Sequence, residues 1–241
     1  MAAEGDGSPV EYGVGGDRPL DGIAATVVLL RDGVEGLEIL LLERPHDRGS
    51  FAGAWVFPGG VVEAADHEGA TGDSVVDDAA ALRRAGARET FEETALVVEP
   101  DDLVHLSTWH PPQHPGRRYL TTFFIAAAPA GAIVPSPDEV ADYQWARPAD
   151  AIDRHTEKRL LLFPPTWVTL RSFAGDATVA EALARVAASE PAHFATRFAS
   201  DRSAIFFEGD VAYDDESLLD ATGPRHRVSL ASRPWVYSRS A

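Results

Sequence analysis

The chain has 241 residues, 45% of them hydrophobic, which is enough to bury a substantial core as one domain with an extension or as two small domains. Its formal net charge of −17 argues against a nucleic-acid-binding or anionic-membrane-binding surface, since such surfaces need clustered Lys and Arg. The absence of cysteine excludes disulfides, zinc–thiolate sites and a cysteine nucleophile.

The N-terminal residues 1–20 are rich in Gly and acidic residues, which predicts a disordered tail. They lack the basic and apolar regions of a signal peptide. No apolar run in the chain reaches the roughly 18–20 residues that a membrane span needs. We therefore expect a cytoplasmic protein with no membrane partner.

The first half of the chain predicts a hairpin, a short strand and a helix. Two apolar runs of strand length, residues 23–30 and 37–42, flank a turn signal at residues 32–33 and predict a β-hairpin. A short strand at residues 55–57 leads into a Pro-Gly-Gly turn. Residues 77–94 have helical character. The residues expected on the apolar face of this helix are Ala79, Leu82, Ala87 and Phe91.

The second half predicts further strands and helices. The predicted strands are residues 103–109, 119–127 and 140–146. The predicted helices are residues 148–154, 165–173 and 178–188, and residues 202–241 return to short strands and turns. This order indicates a mixed α/β protein without internal repeats.

The most informative run is Arg-Glu-Thr-Phe-Glu-Glu at residues 88–93. Positions i, i+3 and i+4 share one helix face, so Glu89, Glu92 and Glu93 project side by side and repel one another. A divalent cation would remove that penalty, and Mg²⁺ prefers carboxylate oxygens together with waters and substrate phosphates. The run therefore predicts a magnesium site for a phosphate-bearing substrate, although an acidic pair alone more often marks a solvated helix face.

The upstream pair Gly59–Gly60 favours the metal site, because paired glycines let the backbone approach a ligand or the helix closely. The combination resembles the signature of the Nudix hydrolases, Gly-x5-Glu-x7-Arg-Glu-U-x-Glu-Glu-x-Gly-U, in which U is a bulky aliphatic residue. The matching positions here are Gly60, Arg88, Glu89, Glu92, Glu93 and Leu96. The resemblance implies an α/β/α sandwich with a mixed sheet and a diphosphate hydrolase that uses Mg²⁺ or Mn²⁺.

Three features depart from the signature. Asp66 stands at the first acidic position. It is separated from Arg88 by 21 residues where the signature has seven, an insertion of 14. Ala95 replaces the last glycine, and if that position is a left-handed helix cap, alanine costs about 1 kcal/mol relative to glycine.

The long insertion resembles the Nudix branch that includes the peroxisomal coenzyme A diphosphatases. A partial coenzyme A motif supports this branch, because Gly53 has the expected spacing to the Phe-Pro-Gly-Gly turn, whereas the expected arginine falls on Gly49 and Arg48 lies one residue off. Coenzyme A or acyl-coenzyme A is therefore the leading small-molecule nucleotide substrate. ADP-ribose or a dinucleotide is the alternative, and a non-catalytic Nudix-fold binding domain is a third reading that the intact glutamates disfavour.

The resemblance also implies roles for individual residues. Glu92 and Glu93 would ligate the metal, and Glu89 would be a further ligand or the group that orients or deprotonates water. Asp66 is a weaker candidate ligand that would act through water. Arg88 would pair with a helix carboxylate or with Asp66 and fix its rotamer.

Six further residues are expected near the substrate. Gly59 and Gly60 would place backbone groups against the metal site. Glu139, in the turn before the predicted strand at residues 140–146, is a second candidate base, with an ordinary turn carboxylate as the alternative interpretation. Arg117 and Arg118 lie in a Pro-rich loop and, with Arg48, could grip phosphate, although a surface pair is the commoner meaning.

We expect three parts in the chain. Residues 1–20 form the tail, residues 21–160 the Nudix core, and residues 161–241 a helical and irregular extension packed on that core. Exposed strand edges would permit a homodimer, but nothing in the sequence requires one.

Overall fold

The computed structural model describes residues 18–47, 51–67, 79–113 and 116–240. The strands in these ranges are β1 Gly22–Gly33, β2 Gly36–Glu43, β3 Trp55–Val56, β4 Gly59–Val61, β5 Val104–His110, β6 Tyr119–Ala127, β7 Asp142–Ala146, β8 Ala192–Phe198, β9 Ala204–Phe207, β10 Arg225–Ser229 and β11 Val236–Ser240. The α-helices are α1 Ala79–Thr94, α2 Pro148–Thr156, α3 Pro164–Ser172 and α4 Val179–Ala187. The predicted hairpin is confirmed, since β1 and β2 pair antiparallel up to Gly33 and Gly36.

The strands form one continuous path in the order β11-β10-β9-β8-β5-β6-β1-β2-β3, with β4 also paired to β1 and β7 also paired to β2. Most neighbours are antiparallel, but β1 runs parallel to β6, and β5 runs parallel to β8. The sheet is therefore mixed, as the Nudix resemblance implied.

Strand β1 explains why both faces of the sheet are covered. Val27 and Leu29 belong to one buried cluster and Val28 and Leu30 to another, because successive side chains of a strand point to opposite faces. Helix α1 packs on the first face, and helices α2, α3 and α4 contribute to the second cluster. The result is the expected α/β/α sandwich. No helix in the described ranges is both long and apolar enough to span a membrane.

Helix α1 approaches the sheet through small residues. Ala85 and Gly86 are buried, and a Cβ on Gly86 would lie 3.0 Å from a Val27 methyl carbon. The predicted apolar face is wrong in part, because Phe91 is 53% exposed and Ala79 is exposed. Phe91 lies five residues after Gly86, about 140° around the helix axis, so it faces away from β1.

The C-terminal extension is more regular than predicted. After α3 and α4, residues 192–240 contain four strands that prolong the sheet beyond β5. Ser107 pairs with Ala192 and His110 with Ala195, and the Trp109 ring stacks on Phe194 with centroids 4.0 Å apart. This pairing joins segments more than 80 residues apart, which local sequence patterns do not reveal.

Candidate active site

Arg88 lies at the centre of the acidic cluster on α1. Its Nε and Nη2 donate to the two oxygens of Asp66 at 3.2 and 3.0 Å. Its Nη1 donates to Glu89 and to Glu92, both at 2.9 Å. One guanidinium therefore holds three carboxylates, and the contacts expected of Arg88 are present.

Asp66 lies behind Arg88. It is 4% exposed, and its Oδ2 also accepts the backbone N–H of Glu63 at 2.8 Å. Burial alone would raise the pKa of Asp66, but the hydrogen bonds from Arg88 and from the Glu63 amide outweigh burial and hold the pKa below its usual value. With both oxygens engaged, Asp66 positions Arg88. Its expected role as a metal ligand through water stays a prediction, which these hydrogen bonds do not favour.

Glu93 is buried between α1 and the Gly-Gly turn. Its Oε2 accepts the Gly59 N–H at 2.9 Å, and the residue is only 6% exposed. Burial raises the pKa of Glu93 to about 8, with the charge of Glu89 acting in the same direction and the Gly59 N–H opposing it. A buried carboxylate of this kind favours a bound cation, because a cation restores the charged form.

Both glycines of the turn lie where another group approaches closely, the backbone at Gly59 and the Glu89 carboxylate at Gly60. A Cβ on Gly59 would lie 2.4 Å from the carbonyl oxygen of Ala25. A Cβ on Gly60 would lie 2.2 Å from Oε1 of Glu89. The turn therefore forms a cradle around the glutamates that any side chain would fill.

The turn that carries Glu139 docks on the end of α1. The Ser136 N–H donates to the Glu93 carbonyl at 3.2 Å, and the Val134 N–H donates to the Thr94 carbonyl at 2.9 Å. Glu139 is exposed, yet it lies close enough to help raise the pKa of both Glu89 and Glu93. For Glu89 the largest cause of the raised pKa is burial. The structure thus brings Glu139 to the cluster from a loop more than 40 residues downstream.

The donor set suits a hard divalent ion, because every candidate ligand is a carboxylate oxygen. Across residues 18–47, 51–67, 79–113 and 116–240, no three acidic or imidazole side chains form a ready-made metal cage. The carboxylates are engaged in hydrogen bonds instead, because Arg88 donates to oxygens of Glu89 and Glu92 and the Gly59 N–H donates to one oxygen of Glu93. Glu92 is 48% exposed at its side chain, so it can turn toward a cation at little cost.

A cavity of about 590 Å³ adjoins this cluster and includes Gly59 in its wall. Its lining is mostly aromatic, Pro and Thr side chains, and it contains no acidic residue among those the structure describes. Arg44 lines the cavity and helps lower the pKa of Glu93, which places its charge beside the cluster. Its Nε is buried without a hydrogen-bond partner among the described residues. Sequence reasoning missed Arg44, whose only signal was a basic residue at the end of the second strand of the hairpin.

The two arginines of the Pro-rich loop that were predicted to bind phosphate have different environments in the structure. Arg118 is 5% exposed, and its guanidinium donates to the carbonyls of residues 18, 19, 111 and 112. Because these hydrogen bonds engage its donors, the geometry does not favour the predicted substrate role of Arg118, which stays a prediction. Arg117 is exposed, donates to the Tyr119 hydroxyl at 3.3 Å and lines the cavity. Arg48 lies outside the described residues.

Comparison with known proteins agrees with this geometry. A family model described as the NUDIX domain matches residues 21–164, more than half of the chain. A Caenorhabditis elegans protein provisionally named nudix hydrolase 7 is 23% identical over 248 residues, with 81% of each chain covered. The crystal structure of a NUDIX hydrolase from Alicyclobacillus acidocaldarius has a TM-score of 0.61 at 20% identity, covering 70% of this chain and 98% of that one. That likeness shows a shared fold.

Proposed function

Because this chain belongs to the Nudix hydrolase family, whose members act on pyrophosphate bonds and generally use divalent metal ions, we propose that it is a Mg²⁺- or Mn²⁺-dependent pyrophosphohydrolase. Its substrate would be a small nucleoside-diphosphate derivative, with coenzyme A or acyl-coenzyme A favoured. The products from coenzyme A and water would be 3′,5′-ADP and 4′-phosphopantetheine. The further proposal that the chain falls in the branch of the coenzyme A diphosphatases rests on the 14-residue insertion.

The proposed mechanism assigns a task to each carboxylate. Glu92 and Glu93 would hold the metal, and the Gly59 N–H fixes the rotamer of Glu93. When bound, the metal neutralises charge on the phosphate oxygens and makes a coordinated water more acidic. Glu89 takes the proton of the attacking water, because its raised pKa brings its basicity closer to neutral pH. Glu139 is the second candidate for that task.

Bond changes in this reaction are simple. The water oxygen forms a bond to one phosphorus, and the bond from that phosphorus to the bridging oxygen breaks. The bridging oxygen leaves on the other phosphate, and the proton of the water passes to the base. Arg88 holds Glu89 and Glu92 in place, and Arg44, which lines the cavity beside Glu93, would bind the phosphates.

The observation that carries the substrate proposal is the cavity beside Gly59. Its lining is mainly aromatic, Pro and Thr side chains with three arginines and, among the described residues, no acidic side chain, and it is large enough for a drug-sized ligand. A space with apolar walls and several arginines suits coenzyme A, which has an apolar arm and more than one phosphate group, better than it suits the second ribose of ADP-ribose. ADP-ribose and dinucleotides remain the alternative substrates of the same chemistry.

A substrate panel tests the proposal. The protein is incubated with Mg²⁺ or Mn²⁺ and coenzyme A, acyl-coenzyme A, ADP-ribose, NADH or diadenosine polyphosphates, and the products are separated by chromatography. We expect metal-dependent release of 3′,5′-ADP from coenzyme A, which Glu92→Gln abolishes. Glu99→Gln is the matched control, since Glu99 is an exposed glutamate beyond the end of α1. Cleavage of another member of the panel instead would replace the substrate, and no cleavage of any member would contradict the enzymatic proposal.

A further inference from the structure

The C-terminal extension completes the cavity next to the metal-binding cluster. The family model ends at residue 164, but the cavity wall includes Thr196, Phe198, Arg202, Ile205 and Phe207 from β8, β9 and the turn between them. These strands reach the site because β8 pairs with β5, whose Trp109 and His110 also line the cavity. The extension therefore contributes directly to the space that a substrate would fill.

The charge of this cavity is opposite to that of the chain. The protein has 38 acidic and 21 basic residues, yet the described lining contains Arg44, Arg117 and Arg202 and no carboxylate. Arg44 lies at the metal end, where it acts on Glu93. Arg117 and Arg202 come from other elements, the segment before β6 and the β8–β9 turn. Because Arg44 is the cavity arginine beside the metal-binding cluster, an anion held by Arg117 and Arg202 would be a group other than the diphosphate at the metal.

Arg202 is well placed to bind such an anion. Its side chain is exposed, and its guanidinium lies over the Phe198 ring, with the central carbon 5.3 Å from the ring centroid. Within the described part of the chain it forms no ion pair. Its backbone has φ 59° and its N–H donates to the Ala199 carbonyl at 2.9 Å, so the tight turn fixes where the side chain begins. Guanidinium groups bind phosphate through paired N–H donors, which suits a terminal phosphate group.

We infer that Arg202, together with Arg117, binds a second phosphate on the substrate, a phosphomonoester on the nucleoside ribose, and so determines which nucleotides the enzyme selects. The inference rests on the proposed function, because it takes the cavity to be the substrate site. It adds a residue from outside the matched Nudix domain and a selection rule: a nucleotide that carries the extra ribose phosphate is preferred to the same nucleotide without it.

A binding test separates this inference from catalysis. Melting temperatures are measured without metal in the presence of adenosine 3′,5′-bisphosphate or of 5′-AMP. The wild-type protein should be stabilised more by the bisphosphate, by about 2 °C or more at saturating ligand. Arg202→Gln should remove the difference, and Arg202→Lys should retain part of it. Arg197→Gln is the control, because Arg197 lies on β8 and is absent from the cavity lining. An equal bisphosphate preference in Arg202→Gln and wild type would overturn the inference.

A kinetic test uses coenzyme A and 3′-dephospho-coenzyme A with Mg²⁺. We expect Arg202→Gln to lower kcat/KM for coenzyme A by about tenfold, through KM, and to leave dephospho-coenzyme A unchanged. If wild type cleaves both substrates equally well, the inference is wrong and the proposed function stands. If wild type cleaves neither, the proposed function fails, and the melting experiment still decides whether Arg202 binds the phosphate.

Discussion

Replacing Ala95 by glycine should stabilise the protein. Ala95 follows the last residue of α1 with φ 60°, and its N–H donates to the Phe91 carbonyl at 2.7 Å, so it is the left-handed cap that the sequence indicated. The alanine is exposed, and glycine would therefore forfeit no buried surface. Its methyl group only adds strain in this conformation.

The expected gain follows from two opposing effects. A residue with a Cβ in the left-handed region costs roughly 1–2 kcal/mol. Glycine adds roughly 0.4–1 kcal/mol of unfolded-state entropy that folding must overcome. The net stabilisation is about 1 kcal/mol, which corresponds to a rise in melting temperature of about 2–4 °C for a chain of this size.

Urea denaturation and thermal melting of Ala95→Gly measure this change directly. The matched control is Ala87→Gly within α1, which should destabilise by about 1 kcal/mol because helical glycine has the same entropy cost and relieves no strain. The kcat of Ala95→Gly should equal that of wild type, since the exposed methyl group lies outside the carboxylate cluster. Unchanged or lowered stability of Ala95→Gly would refute the assignment of a strained cap.

Three more predictions concern the site and its supports. Gly60→Ala should reduce kcat for the preferred substrate by about tenfold or more. The new Cβ would lie 2.2 Å from Oε1 of Glu89 and displace that carboxylate. A wild-type kcat in this variant would contradict the importance of the close approach. Burial lowers the pKa of His155 to about 4, so His155 stays neutral in the folded state while it becomes protonated in the unfolded state below its ordinary pKa near 6.5. As the pH is lowered from about 6.5 to about 4, His155 should therefore reduce the free energy of unfolding by up to about 1.4 kcal/mol per pH unit. In urea titrations, the free energy of unfolding of His155→Gln should depend less steeply on pH than that of wild type. Arg118→Met should lower the free energy of unfolding by about 2–3 kcal/mol in the same titrations, because the Arg118 guanidinium donates to backbone carbonyls. KM should stay unchanged. A raised KM with unchanged stability would instead support a role for Arg118 in substrate binding.

The sequence alone determined the local parts of this protein. The spacing of Glu89, Glu92 and Glu93 places them on adjacent positions of one helix, and the helix exists as predicted up to Thr94. The paired glycines before it, and the cap at Ala95, also follow from local backbone geometry. These features depend on residues within a few positions of one another, so their pattern can be recognised in a linear sequence.

The tertiary structure decided which residues meet. It pairs Asp66 with Arg88 and places the Glu139 turn at the end of α1. It also pairs the Arg118 guanidinium with backbone carbonyls and leaves the Arg44 Nε without a hydrogen-bond partner among the described residues. Local sequence predicts neither the direction of an arginine side chain nor the partner that satisfies its donors.

The parallel pairing of β5 with β8 was likewise invisible in the sequence, and it is what brings the β8–β9 turn to the cavity. Contacts of this kind join segments far apart in the chain and depend on how both sheet faces are packed. Helical periodicity therefore predicted that the carboxylates lie together on one helix, whereas the long-range packing of the sheet determined the shape and lining of the cavity beside them.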